Sequence, residues 1–191
     1  TGKRMEWWEV HDALYGHHGD APSTIAGLAT ELAAMGMGRV AENELTTCLL
    51  AFRGLDPTRT IVEHRRRGEE VLDGAAAEAL PALQQALVFL RKRAGIPHLR
   101  LLPRLFVLEV LTRFFALHRE PSKRTEELLG RWLWRSLIAE GGLDERTLVR
   151  RAVAAVQEDD EEGSVQELLS LVPSEYKTVA LPESFDARAA A

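Results

Sequence analysis

Six histidines and one cysteine are the side chains of this 191-residue sequence best suited to metal or nucleophilic chemistry. His11, His17 and His18 lie near Asp12 and Asp20, and imidazole with carboxylate can hold zinc or a similar ion. Their spacing matches no closed tetrahedral pattern, however, and His17 and His18 stand between Gly16 and Gly19 in turn-forming sequence. An exposed loop is expected there, and no metal ligand is assigned. His64, His98 and His118 are separate, each at an expected helix end or beside arginines, where a helix C-terminus or solvent accounts for them. Cys48 falls in the apolar run LTTCLLAF and reads as a small buried hydrophobe rather than a nucleophile.

Phosphate-binding loops are missing as well. GMGR and GLDPTR are glycine punctuation, without the lysine and hydroxyl that complete a phosphate cradle. Asn43 is the sole asparagine, and none of the histidines stands with it in a His-Asn-His nuclease arrangement. No catalytic residue and no cofactor are therefore expected, and the chain reads as a noncatalytic domain. A hydrolase built on His17, His18 and Asp20 is the weaker reading, and it predicts a bound metal.

Basic and aromatic side chains remain. Arg65, Arg66 and Arg67 form one basic group, and Arg91, Lys92 and Arg93 form another. Neighbours on a helix point in different directions, so only part of each group can meet one phosphate backbone. Net charge is −5, unevenly spread: residues 91–135 carry eleven basic and four acidic side chains, whereas residues 140–191 carry five and twelve. The basic middle suits an anionic partner. Trp132 and Trp134, interleaved with Arg131 and Arg135, allow either base stacking or bundle packing, and packing is the expected use.

The elements that must position these groups repeat at helical spacing. Helices are expected over about 5–14, 23–35 and 41–52, and then from an Asp56 cap with Pro57 at its first position through IVEHRRRGEEVL. Another spans about 75–93, with Pro81 either marking its start or kinking it, and Gly95 and Pro97 closing it. Beginning near Pro103, RLFVLEVLTRFFALH puts Phe106, Val107, Val110, Leu111, Phe114 and Leu117 on one wide face. The next helix turns Leu129, Trp132, Leu133 and Leu137 inward and leaves Trp134 off the stripe. Asp144 caps a helix to Val156, QEDDEEGS reads as an acidic turn, and Ser164 with Glu167 forms a capping box for VQELLSLV. The fold expected is an all-α, orthogonal bundle of about eight helices over residues 1–172, with 173–191 a docked tail or linker. Its longest apolar stretch is interrupted by Arg104, Glu109 and Arg113, which argues against membrane insertion, and a lone cysteine fits a reducing cytoplasm.

Two stretches carry a family resemblance. TGKRMEWWEVHDAL resembles the end of the segment Arg-Ile-Asn-x-Thr-Gly-x-x-Leu-x-x-x-Glu of ParB/sulfiredoxin-like proteins catalogued as domain of unknown function 262, with Thr1, Gly2, Met5 and Glu9 in the matching places. LLPRLFVLEVLTRFFALH and ELLGRWLWRSLIAEG resemble the helical bundle that follows that domain in GmrSD-type restriction enzymes. The resemblance implies that this chain is the helical accessory part of a restriction-related or phage-defence protein whose ParB-like half lies outside it. The family's Asp-Gly-Gln-Gln-Arg nucleotide motif and its His-Asn-His domain are not in this sequence, so neither activity is carried over. The expected contact with DNA runs through Arg65, Arg66, Arg67, Arg91, Lys92 and Arg93. The alternative is a protein-interaction or homo-oligomeric bundle in which Trp7, Trp8 and Trp134 cover a neighbour. The abrupt ends of the chain fit a cut boundary on this reading.

Overall fold

The structure is a computed structural model that describes residues 24–69, 74–138 and 142–174. Eight α-helices and no strand occur among them, so the chain is an all-α bundle. They are α1 (Ile25–Ala33), α2 (Glu42–Phe52), α3 (Ile61–Arg66), α4 (Ala75–Lys92), α5 (Phe106–Leu117), α6 (Lys123–Ile138), α7 (Glu145–Ala155) and α8 (Glu161–Ser170). The first expected helix, with Trp7 and Trp8, the histidine loop and the segment after 174 lie outside the described residues.

The most apolar of these segments becomes the hub. Phe106, Val107, Val110, Leu111 and Phe114 are buried as the pattern requires, and so are Leu108 and Phe115, because α5 is covered on several sides by α2, α4 and α7. Thr112, wholly buried, donates its hydroxyl to the Leu108 carbonyl at 2.6 Å, which satisfies a polar group that water cannot reach. Phe89 of α4 meets Phe115 with ring centroids 5.7 Å apart, and Phe114 meets Phe115 edge-on at 5.5 Å. α6 packs mainly on α8, and α8 in turn on α7, which returns to α5.

Caps set the helix limits, and three differ from expectation. The helix expected to begin at Asp56 begins instead at Ile61. Asp56 uses its carboxylate locally, accepting from Thr58 N at 3.0 Å and Thr58 Oγ1 at 2.6 Å, while Thr60 caps α3 with Glu63 closing the box. α3 then ends at Arg66 rather than running on, because Gly68 turns the chain with φ +74°. The helix expected to start at Val165 starts at Glu161, since Asp160 accepts from Gly163 N at 2.8 Å and offers a cap one turn earlier. Ser164 instead holds the preceding turn, donating to Asp160 O at 2.6 Å and accepting from Gln157 N at 2.9 Å. Pro81 neither starts nor ends α4. It is exposed inside the helix, so the Ala77 carbonyl that loses its partner lies on the solvent side. Asp144 caps α7 as expected, accepting from Thr147 N at 3.0 Å.

Candidate functional site

The two basic groups stand at the C-terminal ends of two different helices. Arg65, Arg66 and Arg67 are all exposed at the end of α3, beside His64. His64 is buried, with Nδ1 against the Glu69 carboxylate and Nε2 2.9 Å from the Asp56 carbonyl oxygen. Through these two contacts the ring ties α3 to the Asp56 turn. Arg91, Lys92 and Arg93 end α4, near α1 and α6. Arg91 donates to the Met35 carbonyl at 2.6 Å, satisfying the C-terminal side of α1, and Arg93 pairs with Glu126 of α6. Two of these three cations therefore work in tertiary contacts.

Trp132 and Trp134 divide as the stripe requires. Trp132 is fully buried with Leu129 and Leu133, whereas Trp134 is 42% exposed and Ile138, one turn further on, is 57% exposed. On α4, Val88 is 39% exposed. Between α4 and α6 runs a groove in two parts that meet at the Arg93–Glu126 pair. One part, of about 350 Å³, has Val88, Phe89, Phe115 and Lys92 in its walls; the other, of about 300 Å³, has Gly130 and Trp134. An apolar floor of this kind with charged edges is a surface suited to a helix face.

A second region was hidden in the sequence. Glu109, noticed there only as a charge interrupting an apolar run, sits mostly buried on α5. Burial is the main cause that pushes its carboxyl up to about 7, helped by Glu145 and Glu44 and opposed by the Thr47 hydroxyl. Thr47 Oγ1 is 2.8 Å from Glu109 Oε1 and 2.9 Å from the Glu44 carbonyl oxygen. One hydroxyl carries one proton, and the carbonyl can only accept. The hydroxyl thus shares its proton between two acceptors, and its bond to the carboxyl offsets only part of the effect of burial.

Cys48 is buried at 1% exposure, and burial pushes its thiol well above the usual range, so it packs as a hydrophobe. Among the described residues no group of three histidine, cysteine or carboxylate side chains is placed to hold a metal ion, and no helix is long and apolar enough to cross a membrane. His17, His18 and Asp20 are outside the described residues. No protein-family model, curated protein or solved structure matches the chain.

Proposed function

We propose that this chain is a noncatalytic helical accessory domain that docks a protein partner in the groove between α4 and α6. The observation that carries this reading is the pair of adjoining clefts, one walled by the exposed Val88 with Phe89 and Phe115 and the other by the exposed Trp134, which meet at the Arg93–Glu126 pair. The clefts are lined by Lys92 and Arg93 with Glu126 and Glu127, of which Arg93 and Glu126 pair with each other, and α6 adds Arg131 and Arg135 on either side of Trp134 in sequence. The complementary occupant is an acidic amphipathic helix, its apolar face on Trp134 and its carboxylates toward Lys92, Arg131 and Arg135. A large aromatic at the centre of such a surface supplies a large share of the binding free energy.

The resemblance to the helical part of ParB/sulfiredoxin-like restriction proteins fits this division of labour, with chemistry residing in a companion domain. A second reading, contact with DNA, is favoured by one observation: Arg65, Arg66 and Arg67 are exposed together at the end of α3. Fluorescence anisotropy separates the two. A labelled peptide with leucine and phenylalanine on one helical face and glutamate on the other should bind the wild type and lose at least tenfold in Trp134→Ala, while its lysine counterpart and duplex DNA bind weakly. Salt-sensitive DNA binding that is unaffected by Trp134→Ala and lost on reversing Arg65–67 would favour the second reading instead.

A further inference from the structure

Beside α7 lie two adjoining clefts whose walls share Thr58 and Arg146, remote in chemistry from the α4–α6 face and with no residue in common with it. The polar cleft, about 290 Å³, is lined by Arg59, Arg146 and Arg150 together with Asp56, Glu63 and Thr147. Its two carboxylates are already engaged. Asp56 accepts from Thr58 N and Oγ1 through one oxygen and pairs with Arg59 Nε at 3.2 Å through the other. Glu63 accepts from Thr60 N and Oγ1 at 2.8 Å as the cap of α3. The guanidiniums retain donors: Arg59 uses Nε in its ion pair, and Arg146 uses one terminal nitrogen on the Thr58 carbonyl at 2.8 Å. A guanidinium has five N–H groups in a planar fork, so several remain for a ligand.

The neighbouring cleft, about 430 Å³, has an apolar wall of Pro57, Phe106 and Val149, with the Glu109 carboxyl and Glu145 also lining it. A diffuse anion gains little there, because Glu145 faces it. A ligand with its charge at one end and an apolar body at the other fits both halves at once. From this juxtaposition we propose that the paired clefts bind a small phosphomonoester. Arg59, Arg146 and Arg150 hold the phosphate, and Pro57, Phe106 and Val149 take its alkyl or aryl body. Forked guanidinium donors match phosphate oxygens two at a time, which favours phosphate over a single point contact.

The test uses the full chain, isotope-labelled, titrated with phenyl phosphate, inorganic phosphate and phenol while backbone amide shifts are followed. Phenyl phosphate should shift amides within 56–60 and 145–150 saturably, inorganic phosphate should bind at least fivefold more weakly, and phenol should not bind. Arg150 is exposed, so Arg150→Gln should leave the fold unchanged and lower the phenyl phosphate affinity at least tenfold. Arg131→Gln, on α6, should have no effect. Shifts confined to other residues, equal losses in Arg150→Gln and Arg131→Gln, or equal affinities for phosphate and phenyl phosphate would each overturn the proposal.

Discussion

Replacing Glu109 by glutamine tests the reading of its buried carboxyl quantitatively. In the folded protein this group titrates at about 7 rather than near its ordinary 4.5. The native state therefore holds a proton that the unfolded chain has released across that interval. A carboxyl with a raised pKa contributes stability that is fully present below its unfolded pKa and is lost as pH rises to and through its folded pKa. At about 1.4 kcal/mol per pH unit the whole interval is worth about 3 kcal/mol, of which about 2.5 kcal/mol is lost between pH 5 and pH 8. Glutamine keeps a carbonyl oxygen for Thr47 and has nothing to titrate. Urea unfolding of both proteins at pH 5 and pH 8 supplies the comparison. With a slope of about 2 kcal/mol/M, the wild type should lose roughly 1 M more in midpoint than Glu109→Gln over this range. Parallel losses in the two proteins would refute the claim that Glu109 is neutral in the fold.

Other substitutions test the packing and the caps. Phe114→Ala, at the covered centre of α5, should cost about 3–5 kcal/mol by denaturant unfolding. Trp132 is fully buried and its indole nitrogen has no hydrogen-bond partner, so Trp132→Phe should cost well under half of what Trp132→Ala does, since only volume is lost. Thr60→Ala, which breaks the capping box of α3, should cost about 1 kcal/mol and speed amide exchange at Glu63. Gly54→Ala should destabilise measurably, because Gly54 has φ +73° and an added Cβ would come within 3.0 Å of the Arg113 guanidinium. In contrast, Trp134→Ala should leave the urea midpoint nearly unchanged, as its side chain is substantially exposed.

Helical class and the dominant helix were legible because both rest on local periodicity. The Phe106–Leu117 pattern and the Asp144 cap each depend on residues a few positions apart, and the bundle has both where the spacing puts them. The division of Trp132 from Trp134 was legible for the same reason. Competing caps were harder. Asp56 and Asp160 are both good capping side chains, and only the surrounding packing makes one close a turn on Thr58 and the other start α8. Least legible were pairings over long separations. Arg91 meets the Met35 carbonyl 56 residues away and Thr47 meets Glu109 at a separation of 62, and no sequence period encodes either contact. The cleft arginines also escaped, since Arg59 precedes α3 and Arg146 sits in the first turn of α7, far apart in sequence until the two line one cleft. An acidic residue inside an apolar helix was the one available sign of the Glu109 region.

The docking face on α4 and α6 is tested most directly by amide hydrogen exchange of the whole chain with and without the acidic amphipathic peptide. Protection concentrated at 85–93 and 126–138, and abolished by Trp134→Ala, is the result expected. Protection at 61–69 instead, or a footprint indifferent to Trp134, would contradict the account.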